Sequence, residues 1–118
     1  MAWKEKQLGQ IQAPSTSNVA SGQLYSPSAG STTVGVVKTI CISNNSTATQ
    51  KIQGFSTTGG ATFTLATRFI PNVSVPGETM EQLDGWYPAG FNTHSYNFCT
   101  TGSTNAFTIT AWGAERTT

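Results

Sequence analysis

The sequence predicts an all-β fold, an antiparallel β-sandwich of seven or eight short strands, on three observations. Short runs alternate apolar and polar residues, which gives each strand one buried face and one wet face. Clusters of Gly, Pro, Asn and Ser punctuate those runs about every 8–12 residues. Ser and Thr supply roughly a quarter of the chain, and no stretch sustains the period of a long amphipathic helix.

Residues 1–20 read as an arm outside the compact domain, and residues 21–118 as the sandwich itself. In the arm, Trp3, Leu8 and Ile11 are spaced widely among Lys, Glu, Gln and Ser, too thinly for a helix to hold alone. Such a segment is either a leader or an arm that orders on a partner, with Trp3, Leu8 and Ile11 as anchors. Ser21 to Ser26 predicts a first strand with Leu24 in the core, and Gly30 serves the turn that follows Pro27. The strongest strand is Thr33 to Asn44. There Val34, Val36, Ile40 and Ile42 share the even-numbered face, while Val37 and Cys41 take the other, so both faces are covered for part of its length. Lys38 interrupts this strand and must reach water, at a sheet edge or a subunit contact. Asn44-Asn45-Ser46 stops it, because these side chains compete for backbone hydrogen bonds.

Ala48 to Phe55 is a weaker strand, closed by a turn over Thr57 to Gly60. From Ala61, Phe63, Leu65 and Phe69 oppose Thr62, Thr64 and Arg68, and Pro71 is expected to end the run for want of a ladder donor. Val73 to Val75 is short, and Pro76-Gly77-Glu78-Thr79 has the residue order of a type II turn. Asp84-Gly85 and Pro88-Ala89-Gly90 bracket a short aromatic strand. Phe91 to Phe98 then alternates, with His94, Tyr96 and Phe98 on one face. Cys99 to Thr104 reads as a loop, Ala106 to Gly113 as the last strand with Phe107, Ile109 and Ala111 inward, and Glu115 to Thr118 as a polar tail. Strands this short, with turns this regular, fit a jelly-roll or immunoglobulin-like sandwich.

At 118 residues and 12.5 kDa the chain is long enough to bury a core without metals or crosslinks. Charged residues make up 9%, far below the roughly 25% usual for soluble domains. So little charge suits a subunit of an assembly better than a free monomer. A net charge of +1 excludes nucleic acid as the expected partner, since phosphate binding needs a clustered basic surface. The first residues lack the apolar centre of a signal peptide, and no run is apolar enough to span a membrane, so a soluble cytosolic product is expected. Cys41 and Cys99 are then two reduced thiols by default, and the Asn-X-Ser/Thr patterns at Asn44, Asn45 and Asn72 are turn chemistry.

The residues do not assemble an enzyme. The only histidine, His94, lies mid-strand among aromatics and reads as a structural or interface residue rather than a catalyst. Glu78, Glu81, Asp84 and Glu115 show no spacing that fixes a catalytic carboxylate pair. One His and two distant Cys do not make a zinc site, and no Gly-rich phosphate loop opens a helix, so no metal or cofactor is expected. Trp86, Tyr87 and Trp112 remain as oligomer contacts or, alternatively, as a sugar-stacking platform.

The order of turn motifs carries a resemblance. Leu24-Tyr25-Ser26-Pro27-Ser28-Ala29-Gly30 precedes a strand ending in Cys41-Ile42-Ser43-Asn44; Val75 to Thr79 forms a turn; Pro88-Ala89-Gly90 closes a strand; and the last strand ends Trp112-Gly113-Ala114-Glu115. Over residues 21–115 this resembles small β-sandwich virion proteins of tailed bacteriophages, which include capsid cement or decoration proteins and tail- or neck-associated proteins. Members of that group usually carry an acidic residue soon after the Ala-Gly turn, where this chain has Phe91-Asn92. The resemblance implies a non-enzymatic virion protein, made in the host cytoplasm, that binds the major capsid protein or another virion protein and self-associates, as a trimer in the cement proteins. It also admits a tail- or neck-attached module that recognises host glycans, and a third class is a lectin-like adhesion domain.

Overall fold

The computed structural model describes residues 3–15, 22–25, 33–57, 68–90, 95–100 and 105–117. Among the described residues, eight antiparallel strands form two four-stranded sheets. The strands are β1 (Lys4–Gln12), β2 (Gln23–Tyr25), β3 (Thr33–Asn44), β4 (Gln50–Thr57), β5 (Arg68–Val75), β6 (Met80–Gly90), β7 (Ser95–Thr100) and β8 (Phe107–Thr117). One sheet has the order β1-β8-β3-β6 and the other β2-β7-β4-β5. The predicted all-β sandwich is what the chain forms.

Between the sheets, Ile40, Ile42 and Val37 of β3 and Phe107, Ile109 and Ala111 of β8 face Ile52, Ile70, Val75, Tyr96 and Phe98. Phe69, partly buried on β5, packs against this layer with its ring centroid 5.6–6.1 Å from those of Tyr87, Tyr96 and Phe98. Such edge-on aromatic contacts add to the burial that holds the sheets together.

The even-numbered face expected of β3 is broken in the middle. Val37 pairs with Gly113 and Thr39 with Trp112, so Lys38 is one residue more than β8 can match. A bulge of this kind shifts the side-chain alternation by one. Before it, Gly35 and Val37 point to the core; after it, Ile40, Ile42 and Asn44 do. Val34 and Val36 therefore lie on the outer face, where Val34 is 37% exposed. Gly113 fits the bulge: a Cβ there would collide with the Val36 carbonyl oxygen.

Five boundaries differ from expectation. Pro71 does not end its strand, because β5 is an edge and residues 71–72 are the surplus opposite Gln53, where no ladder donor is needed. Neither Asp84-Gly85 nor Pro88-Ala89-Gly90 is a turn, because β6 runs from Met80 to Gly90 and its last three residues pair with β3. The supposed tail, Glu115 to Thr117, continues β8 along β3, and the supposed loop yields Cys99 and Thr100 to β7. In the β5–β6 turn the positive φ falls on Glu78, at 57°, rather than on Gly77. Gly77 is needed for space, since a Cβ would strike the Thr47 carbonyl. The strand and turn expected over Gly30 and over Ala61 to Thr67, with His94, lie outside the described residues.

The expected arm is also different. Lys4–Gln12 is the edge strand beside β8, with Leu8 and Ile11 turned inward against the core. Ala13 is fully buried, and backbone bonds tie it to Phe107 and Asn105 and tie Pro14 to Thr100. Beneath β1, Lys6 Nζ lies 3.0 Å from Glu115 Oε1, and Tyr25 donates to Glu115 Oε2 at 2.6 Å. Burial alone would raise the Glu115 carboxyl, but the hydrogen bonds from Tyr25 and Lys6 and the lysine charge outweigh it and hold it below its ordinary 4.5. Burial first, then the Glu115 bond and its charge, push the Tyr25 phenol strongly up. This cluster staples β1 to the rest, so removing β1 would strip both the β8 edge and part of the core.

Two outcomes follow from this packing. Ile40→Ala should cost about 2–5 kcal/mol in denaturant unfolding, and Val37→Ala should also destabilise, whereas Val34→Ala should stay within about 0.5 kcal/mol. Equal losses at 34 and 37 would contradict the shifted alternation. For Glu115, a carboxyl held below its unfolded value stabilises above that value and loses the contribution as pH falls through the folded one. The stability gap between wild type and Glu115→Gln should therefore narrow below about pH 4.5. A gap independent of pH would show that the cluster holds nothing.

Candidate functional site: a tryptophan face on one sheet

The β1-β8-β3-β6 sheet turns its outer side to solvent, and the alternation along each strand decides what stands there. On β8 the even positions point out, including Trp112, Ala114 and Arg116; on β6 so do Gln82, Asp84, Trp86 and Pro88. On β1 Glu5 and Gln7 point out, with Trp3 just before the strand. The bulge adds Lys38 and Thr39 together to this side. All three tryptophans of the chain, Trp3, Trp86 and Trp112, are thereby exposed on one face, at 44%, 68% and 41%.

Charged groups order the face. Lys38 Nζ is 2.9 Å from Glu5 Oε1, a bridge that reaches over β8 from β3 to β1. The bond to Lys38 and its charge lower the Glu5 carboxyl. The same ammonium stands 5.9 Å from the Trp86 ring centroid, and the Arg116 guanidinium 5.1 Å from that of Trp3. Each cation limits the freedom of its indole. Thr39 Oγ1 donates to Asp84 Oδ1 at 3.1 Å, and Gln82 reaches the same carboxylate.

The Glu5–Lys38 bridge separates two open grooves. One, of about 360 Å³, is lined by Gln7, Thr39, Trp112 and Gly113; the other, of about 350 Å³, by Trp3, Trp86, Val36 and Ala114. Glu5 and Lys38 border both.

Of the residues singled out in the sequence, Trp3, Trp86 and Trp112 come together here. Tyr87 does not: it faces the interior, 6.0 Å from Phe69 and from Tyr96. Leu8 and Ile11 also face inward. Sequence reasoning placed Lys38 in water, at a sheet edge or a subunit contact; the edge is ruled out, since β3 is an inner strand and Lys38 reaches solvent over the sheet. It missed Val36, Glu5 and Arg116, whose place on the face depends on the bulge or on the β1–β8 pairing.

The sheet edges are poor contact surfaces by comparison. β1 carries Lys4, Glu5, Lys6 and a bulge after Gln7; β2 is three residues long; β5 holds Pro71 and two bulges; β6 holds Glu81, Asp84 and Pro88. Each of these features discourages strand addition. Among the described residues no group of His, Cys, Asp and Glu could hold a metal, and Cys41 and Cys99 lie on different sheets with no disulfide between them. Cys41 Sγ lies 3.2 Å from Met80 Sδ on the outer face. No protein-family model, no curated protein and no solved structure matches the chain.

Proposed function

We propose that the protein is a structural component of a bacteriophage virion, a cement or decoration protein bound to the outside of the major capsid protein shell. The observation that carries this reading is the combination of 9% charge with sheet edges that, among the described residues, all carry features discouraging strand addition. A domain repeated side by side at high local concentration must resist edge-to-edge aggregation without relying on charge repulsion. The resemblance of residues 21–115 to small virion sandwiches supports the same reading, and with it a homo-oligomer, a trimer in the cement proteins. Closed symmetry would bury equivalent patches on each copy. Nothing in this function needs a catalytic group or a cofactor.

A second reading is a tail- or neck-attached module that recognises host glycans, and the tryptophan face favours it. Copy number separates the two. Purified protein added to particles lacking it should bind at a stoichiometry close to that of the shell protein and raise the temperature at which heads release their contents. A few copies per particle with no gain in heat resistance would reject the cement reading in favour of the tail or neck. Absence of binding to any particle would reject both.

A further inference from the structure

We propose that the outer face of the β1-β8-β3-β6 sheet is a binding site for a neutral oligosaccharide, with Trp3, Trp86 and Trp112 as stacking platforms around the Glu5–Lys38 pair. This names the ligand class for the contact face on which the second reading rests, and it is independent of how the protein attaches to a particle.

Three features select that ligand. The first is size. β1 and β6 are three strand spacings apart, about 14 Å, so the indoles at either side suit a linked chain of sugar rings rather than one ring. Each groove, at about 350–360 Å³, is within the range of small-ligand sites.

The second is charge. On the outer face of the β1-β8-β3-β6 sheet the outward-pointing charges are Glu5 and Asp84 against Lys38 and Arg116, which cancel. Lys38 is already neutralised by Glu5 at 2.9 Å. Such a surface does not select a polyanion, which needs uncompensated cations.

The third is the ion pair at the centre. Cores of protein–protein interfaces are depleted in Lys and Glu, because covering such a pair with apolar atoms strips its water without replacement. A sugar answers both demands at once. Its C–H faces lie on the exposed indoles, and its hydroxyls donate to Glu5 and accept from Lys38. The cations that hold Trp3 and Trp86 in place reduce the ordering cost of binding.

The test is titration of the full chain, read by tryptophan emission and by calorimetry, with neutral gluco-, galacto-, manno- and N-acetylglucosamine oligosaccharides. Heparin and single-stranded DNA serve as polyanion controls. At least one neutral oligosaccharide should bind at up to about 10 mM, the range of weak small-ligand sites. Trp86→Ala should weaken that binding about tenfold or more with no change in unfolding temperature, since Trp86 is mostly exposed. Lys38→Met should also weaken it, and Tyr87→Phe, in the interior, should leave it unchanged. Failure of every neutral sugar, retention of binding in Trp86→Ala, or tighter salt-sensitive binding of a polyanion would each overturn the proposal. Particle occupancy of the same variants is scored separately. Loss of occupancy in Trp86→Ala without sugar binding by wild type would make the face a protein contact and overturn the proposal while leaving the virion reading standing.

Discussion

Between Val37 and Thr39, β3 has one residue that β8 does not match, and the arrangement of the outer face depends on it. Without the bulge, Val36 and Ile40 would share one side of the sheet. With it, Val36 goes outward and forms groove floor, while Ile40 and Ile42 fill the core. Lys38 is the surplus residue, and its ammonium reaches both Glu5 and Trp86 from an inner strand. Gly113 opposite is the complementary adaptation, since a side chain there would meet the Val36 carbonyl. A local irregularity in one ladder thus sets both the packing beneath the sheet and the chemistry above it.

Other parts of the chain hold this geometry from the ends. Asn44 is buried where β3 leaves the sheet, and its amide donates to the carbonyls of Val75 and Ala48 at 2.9 and 3.0 Å. Its carbonyl oxygen accepts from the Ser46 backbone at 3.0 Å and from the Ser46 hydroxyl. One side chain therefore links the end of β3 to the entry of β4 and the exit of β5, across the two sheets. A buried amide with its bonds satisfied in this way favours one arrangement over neighbouring registers. At the far end, Tyr25, Lys6 and Glu115 do the same for β1 and β2. Trp3 depends on that second clamp, because the β1 edge is what brings it beside Arg116.

The fold class was legible because alternation and turn chemistry act locally. Phe107, Ile109 and Ala111 are inward as their spacing requires, Thr33–Asn44 is one strand, and Asn44-Asn45-Ser46 ends it. What the sequence concealed are features that depend on a neighbour. A bulge leaves no mark in β3 itself, since Val-Val-Lys-Thr alternates acceptably in either phase. Pro71 and Asp84-Gly85 look like breaks until β5 is seen to be an edge and β6 a long outer strand. β1 looks like an arm because its exposed side chains are polar, and its attachment is mostly backbone pairing, which composition cannot reveal. For the site, three tryptophans could be named from the sequence as contact residues, but not as residues of one face. Trp3 in particular is far from Trp86 in the chain and reaches the same groove only through the β1–β8 and β8–β3 pairings.

The bulge decides which side of the sheet Val36 occupies. Methyl-labelled protein examined by nuclear Overhauser spectroscopy reads this directly, without mutation. The Val36 methyls should show contacts to the indole protons of Trp3 and Trp86, and the Val37 methyls to core residues across the sandwich, consistent with their burial on opposite sides. Contacts from Val36 to the core rings of Phe107 or Phe98, with Val37 on the indole side, would place both valines in the unbroken alternation. The bulge, the tryptophan face and the ligand site proposed on it would then be contradicted together.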